Sequence, residues 1–187
     1  MHYVATFVDD LLILADRYVQ DELAASLRQR FSEIKHIEEA SSYVGYNIKY
    51  LGDKKMLVNQ EGHAKEYIKT NNIEASAKGT VPCTPEDFKM AEEDTRPGNA
   101  VEFASALGAL SHLRKTRPEL APILSFLAQH QQNPTKAHNK IIRRAWEYIA
   151  QEPELGIIYG DKRTVRITAF CDASWSSHKL GHGHTAI

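Results

Sequence analysis

The sequence predicts an α+β fold. Three observations carry that expectation. Short runs of Val, Ile, Leu and aromatic residues near the N-terminus, over 42–58 and beyond 156, have the length and composition of strands. Between them, residues 16–31 and 99–150 repeat apolar side chains every three or four positions, the spacing of one helix face. The strand-like runs are separated by short punctuation, Asp9-Asp10 and Gly52-Asp53, that suits hairpins.

Composition narrows the class. Over 187 residues, 42% are hydrophobic and 25% charged, which is the balance of a globular chain. The formal net charge is -1, so any affinity for nucleic acid must come from local basic faces. Cys83 and Cys171 stand far apart with no metal-type spacing, so free thiols of an intracellular protein are expected. No apolar run approaches the roughly 20 residues of a membrane span, and the first residues lack the basic start of a signal peptide. The chain opens almost directly on one strand and stops just after another, so a piece of a larger protein is expected.

Taken in order, the runs 2–8 and 11–14 form a hairpin around Asp9-Asp10. Two readings apply. Asp is a common turn residue, and on pattern alone an ordinary turn is the more frequent outcome. Two carboxylates on a rigid hairpin tip also suit Mg²⁺, which takes few protein ligands and keeps waters and substrate phosphates. Asp16 is placed to cap a helix to about Phe31, with Val19, Leu23, Leu27 and Phe31 as a core-facing stripe. Residues 42–50 alternate as one half-buried strand, with Val44, Tyr46, Ile48 and Tyr50 on one side. Gly52-Asp53 turns the chain, and Met56-Leu57-Val58 returns. Ala64, Tyr67 and Ile68 mark a short helix that ends at Asn71-Asn72.

Residues 78–98 carry Gly79, Pro82, Pro85, Pro97 and Gly98 and show no periodicity, so a connector is expected there. Asn99 and Glu102 form a capping-box variant ahead of Phe103, Ala106, Leu107, Leu110 and Leu113. Thr116-Arg117-Pro118 stops that helix and starts another, bearing Ile123, Leu124, Leu127 and Ala128. Thr135 caps a third helix to about Ala150. On it Lys136, Lys140, Arg143 and Arg144 share one face, and Ile141, Ile142, Ala145 and Ile149 the other. The basic face is either a solvated surface or a strip for a phosphate backbone. Strands follow at 156–159 and 165–171. His178, His182 and His184 do not have the spacing of a recognised zinc site.

Several of these stretches resemble one family. Phe7-Val8-Asp9-Asp10-Leu11-Leu12-Ile13 resembles the Tyr-Val-Asp-Asp-Leu-Leu-Ile box of reverse transcriptases from copia-type LTR retrotransposons, with Phe7 where the family usually has Tyr. Tyr43-Val44-Gly45-Tyr46-Asn47-Ile48 is similar to its Phe-Leu-Gly-Ile-Glu-Ile block. Val81-Pro82-Cys83-Thr84-Pro85, Gly108-Ala109-Leu110, Thr116-Arg117-Pro118 and Asn133-Pro134-Thr135 follow in the family's order. So do Trp146-Glu147-Tyr148-Ile149 and Leu155-Gly156-Ile157-Ile158-Tyr159. Cys171-Asp172-Ala173-Ser174-Trp175 resembles the Ser-Asp-Ala-Asp-Trp that opens the family's RNase H domain.

The resemblance implies an architecture and a chemistry. Residues 1–78 would be the C-terminal part of a polymerase palm, and 79–98 a connector. Residues 99–152 would be a helical thumb or connection region, and 153–187 the truncated start of an RNase H-like domain. Asp9 and Asp10 would be catalytic metal ligands of the palm and Asp172 the first of RNase H, all with Mg²⁺ or Mn²⁺. Lys136, Lys140, Arg143 and Arg144 would contact an RNA or DNA template-primer. The remaining partner would be the rest of a Pol polyprotein, in a cytoplasmic particle or the nucleus, with no membrane. The family's third palm aspartate, its fingers and most of RNase H have no counterpart in these residues, so efficient polymerisation by this chain alone is not expected. The alternative is a degenerate element remnant that acts at most as a non-catalytic nucleic-acid-binding module.

Overall fold

The computed structural model describes residues 2–31, 33–75 and 81–160, together with the backbone of 172–174 and 184–186. Strands and helices are mixed, as the α+β expectation requires. Strands β1 (Tyr3–Phe7) and β2 (Asp10–Leu14) lead to helix α1 (Arg17–Arg30). Strands β3 (Ser42–Tyr43), β4 (Tyr46–Gly52) and β5 (Lys55–Asn59) then precede α2 (Glu61–Thr70) and α3 (Pro85–Glu93). Helix α4 (Ala100–Leu113) follows, then a 3-10 turn (Pro118–Leu120), α5 (Ala121–Ala128) and α6 (Lys136–Ile149). Short strands β6 (Ile157–Tyr159), β7 (Asp172–Ser174) and β8 (His184–Ala186) complete the order.

The apolar core lies in the helical half. Phe103, Ala106, Leu107, Leu110 and Leu113 of α4 are all buried, as their spacing predicts. They meet Ile123, Leu124 and Leu127 of α5 and Ile141, Ile142, Ala145, Trp146 and Ile149 of α6. Each such aliphatic or aromatic side chain contributes roughly 1.5–3 kcal/mol on leaving water. Trp146 joins three elements. Its Nε1 donates to the Ala106 carbonyl at 3.2 Å, and its ring stacks on Tyr67 of α2 with centroids 4.0 Å apart. The caps also follow the sequence: the Asn99 side chain accepts from the Glu102 N–H, and Thr135 forms a capping box with His138. Ala128, expected on the apolar face of α5, is exposed at its C-terminal end.

Three expectations are corrected. The connector over 79–98 contains α3, whose signal is Thr84-Pro85-Glu86-Asp87: a Thr cap, Pro at the first turn and an acid at the third position. The single strand over 42–50 is two strands, β3 and β4, joined at Val44 and Gly45. Both have positive φ, 49° and 79°, the pattern of a type I′ hairpin turn, and Gly45 supplies the residue that tolerates it. Alternation continues through a two-residue turn, so periodicity alone does not reveal the break. Helix α1 has no deeply buried stripe. Val19, Leu23 and Leu27 are half-buried, Phe31 is exposed at the C-cap, and Ala24 is the residue that is buried.

The principal sheet is antiparallel in the order β3-β4-β5-β6. Strand β6 pairs Met56 with Tyr159, Leu57 with Ile158 and Val58 with Ile157, so a strand from the 153–187 segment completes the sheet of the first segment. The chain passes Val58 and Asn59 so closely at Gly156 that a Cβ there would collide with their backbone. Polar side chains fasten this sheet to the helices. Thr116 Oγ1 donates to Gln60 Oε1 at 3.0 Å, Arg117 Nη1 to the Glu152 carbonyl at 3.0 Å, and the Asn59 amide to the Glu154 carbonyl. Arg117, only 3% exposed, is held further by Glu119 and lies over the Tyr148 ring. Thr116 and Arg117 thus form an internal brace. The strand expected over 165–171, and His178 and His182, lie outside the described residues.

Candidate metal and nucleic-acid site

Strands β1 and β2 pair in register from Tyr3 opposite Leu14 to Phe7 opposite Asp10. The connecting turn is therefore Val8-Asp9, and Asp10 is the first residue of β2, not the second turn residue. Val8 has φ 52° and Asp9 is not among the positive-φ residues, the pattern of a type II′ turn, whose first position normally carries Gly. A β-branched residue there is strained. Val8 is 84% exposed, and Asp9 and Asp10 are exposed beside it. The strands expose Tyr3, Val4, Phe7, Leu11 and Leu14, with only Leu12 and Ile13 half-buried. The carboxylates thus sit on the tip of a hairpin that extends into solvent.

Among the described residues, no group of three or more His, Cys, Asp or Glu side chains could hold a metal ion. The hairpin offers two adjacent carboxylates with open sides. That donor set suits Mg²⁺ or Mn²⁺ completed by waters and a phosphate-bearing substrate, and does not suit a closed all-protein site. Asp172 is the first residue of β7, paired with Ala186 of β8. Its side chain lies outside the described residues.

The four basic residues of α6 divide. Lys136 and Lys140 are exposed. Arg143 pairs with Glu147 one turn along the helix, Nε to Oε1 at 3.2 Å. Arg144 reaches α3 and pairs with Asp87, Nη1 to Oδ2 at 2.8 Å. Between α3 and α6 runs an open groove of about 530 Å³, in which Asp87, Glu93 and Asp94 stand with Arg96, Lys140 and Arg144. The Arg96 guanidinium, hydrogen-bonded to Asp94, holds that carboxyl down to about 2. Helix periodicity finds the basic face and the Glu147 that pairs with Arg143, but the acid that neutralises Arg144 is Asp87 of α3, in a stretch that reads as a connector.

The comparisons give the chain its class: it is related to proteins of transposable elements. More particularly, it is similar to retrovirus-related Pol polyproteins from transposons. The Pol polyprotein from transposon RE1 of Arabidopsis thaliana is 26% identical over 178 residues, which is 95% of this chain and 12% of that protein. The corresponding protein from transposon RE2 of the same plant is 27% identical over 175 residues, 93% of this chain and 12% of its own length. A putative transposon Ty5-1 protein of Saccharomyces cerevisiae is 23% identical over 185 residues, 96% of this chain and 59% of that protein. The chain thus spans about 12% of the Arabidopsis polyproteins it matches. No protein-family model and no solved structure matches it.

Proposed function

We propose that the chain is the C-terminal part of a reverse transcriptase palm with its thumb-like helices, leading into an RNase H-like segment, within a Pol polyprotein. The observation that carries the reading is the β1–β2 hairpin, which carries the consecutive residues Asp9 and Asp10 at an exposed, strained tip. A divalent ion bound there would supply Lewis-acid stabilisation to phosphate oxygens during nucleotidyl transfer. The chain's own part is to hold two acceptor oxygens on a short, hydrogen-bonded turn, because misplacement by about 1 Å can cost 10²-fold in rate. Lys136 and Lys140 remain exposed for a template-primer backbone. Activity belongs to the longer polyprotein, which supplies the remaining carboxylate and the nucleotide-binding parts. Asp172 would serve the RNase H-like segment. The setting would be an intracellular particle or the nucleus. Among the described residues, no helix is long and apolar enough to cross a membrane.

Isothermal titration of Mn²⁺ into the chain and its Asp9→Asn/Asp10→Asn variant tests the site. Weak binding lost in the variant is expected. Indistinguishable heats would remove the metal role and leave the second reading, a remnant that binds nucleic acid without catalysis. The two ion pairs that draw down the α6 face count against that second reading resting on α6 alone.

A further inference from the structure

We infer that His63 of α2 and His112 of α4 together hold a first-row transition-metal ion that prefers nitrogen ligands, such as Cu²⁺, Ni²⁺ or Zn²⁺. The site is separate from Asp9 and Asp10 and does not depend on the function proposed for them. The two rings come from different helices, yet their centroids are 4.7 Å apart, with planes inclined at 65°. Two imidazoles that share one ion, at nitrogen distances of about 2.0–2.1 Å, place their centroids roughly 4.5–5.2 Å apart for bond angles between a right angle and a tetrahedral one. The pair already has that separation, so neither helix has to move to admit the ion.

Both rings stand on backbone fixed by the core. Ala64, next to His63, is 1% exposed, and Leu110 and Leu113, which flank His112, are 0% and 2% exposed, all within one cluster. The Ala109 carbonyl, on the turn of α4 before His112, lies 2.9 Å from His63 Nε2. A carbonyl only accepts, so Nε2 carries the ring hydrogen and Nδ1 keeps its lone pair. Metal-bound histidines are oriented in the same way, with one nitrogen anchored to an acceptor and the other left for the ion. His112 is exposed, and its Nε2 lies 3.8 Å from where a side chain at Gly45 would begin, so the β3–β4 turn leaves that side open to water. Burial, then the neighbouring His63 and Lys115, lowers the His112 pKa, which favours the neutral ring that ligates a metal. Imidazole suits Cu²⁺, Ni²⁺ and Zn²⁺, whereas Mg²⁺ takes oxygen, so this site and the hairpin acids select different ions. Two rings fill two coordination positions and water fills the rest, in keeping with the lack of any group of three or more such ligands among the described residues. The bound ion would tie α2 to α4.

The test is titration of Cu²⁺ into the isotope-labelled full chain, followed by NMR. A residue-resolved readout is needed because the chain carries other histidines that attract copper. At substoichiometric Cu²⁺ the amide signals of Gly45, His63 and His112 should broaden together, and Mg²⁺ at the same concentration should leave them unchanged. Loss of an outer-shell partner alone costs 10–100-fold in metal affinity, so removing a ligand should cost at least about tenfold. His63→Gln should therefore raise the Cu²⁺ needed to broaden His112 by that factor, and His112→Gln should do the same at His63. The remaining amide signals check that each variant keeps its fold, and His112, being exposed, supplies the comparison if His63→Gln perturbs α2. Broadening around one histidine that persists unchanged when the other is replaced means adsorption to a single ring and overturns the proposal. Absence of broadening at both in the wild type overturns it as well.

Discussion

Asp87 Oδ2 accepts from Arg144 Nη1 at 2.8 Å and from the Thr84 N–H at 2.7 Å, so one oxygen both caps α3 and ties it to α6. Loss of the cap costs about 1 kcal/mol and loss of a part-exposed ion pair less than that. Asp87→Ala should therefore lower stability by about 1–2 kcal/mol, and Arg144→Ala by clearly less. Urea denaturation measures both. Equal losses would mean that the ion pair, not the cap, holds α3 in place.

The core and the hairpin should respond differently to the same deletion. Leu110 is fully buried among the helices, whereas Leu14 is exposed on β2. Leu110→Ala is expected to cost about 2–5 kcal/mol, through lost transfer energy and the cavity left behind. Leu14→Ala should change global stability by no more than about 0.5 kcal/mol. A large cost at Leu14 would show the hairpin packed against the body of the chain.

The two strained valines give a backbone test. Val44 holds φ 49° at the first position of the β3–β4 turn, inside the principal sheet. A left-handed conformation costs a β-branched residue about 1–2 kcal/mol, and Asn tolerates it better. Val44→Asn should raise the urea midpoint by the equivalent of about 1 kcal/mol. Val8→Gly relieves the same kind of strain in the β1–β2 hairpin, so it should slow amide exchange there and leave the global midpoint unchanged. A fall in the midpoint of Val44→Asn would contradict the left-handed turn.

His138 should make stability depend on pH. Its Nδ1 accepts from the Thr135 N–H at 2.9 Å, so the ring hydrogen is on Nε2, which is buried without a partner among the described residues. Burial, then repulsion from the neighbouring His130, pushes its pKa down to about 4, and Asp94 opposes this only in part. The unfolded chain, with His near 6.5, binds the proton that the native state refuses. This contribution is complete above about 6.5 and is lost as pH falls towards 4, at no more than about 1.4 kcal/mol per pH unit. Asp94, held down to about 2, acts in a lower window: its contribution is present above the ordinary carboxyl range and lost as pH falls through 2. Urea melts at pH 7.5 and 5 on wild type and His138→Gln resolve the first effect. Gln keeps the cap acceptor without titrating, so the variant should lose less on acidification; an equal loss would place the sensitivity elsewhere.

The parts legible in the sequence were those set by local rules. Phe103, Leu110 and Leu113 recur at helix spacing, and burial follows from that spacing. Asn99 and Thr135 announce their helices through side chains that satisfy free N–H groups. The Asp9-Asp10 hairpin was readable as two apolar runs around acids. Helix α3 was hidden because Pro85 reads as punctuation in a stretch bounded by other prolines and glycines, although at the first helical turn it favours a helix. Arg117 and His138, buried polar residues, carried no signal, because polarity in a sequence reads as exposure.

By itself, then, the sequence determined the α+β class, the core faces of α4, α5 and α6, the hairpin with its acids and the relation to Pol polyproteins. Each depends on neighbours within a few residues or on an ordered series of short motifs. Tertiary structure alone decided which cations of α6 are paired across the fold, since Arg144 meets an acid 57 residues away on α3. It also decided that β6 closes the sheet beside β5 and that Thr116 and Gln60 join in the interior. Charge pairing, strand pairing and burial of polar groups are set by distance in space, which spacing along the chain does not encode.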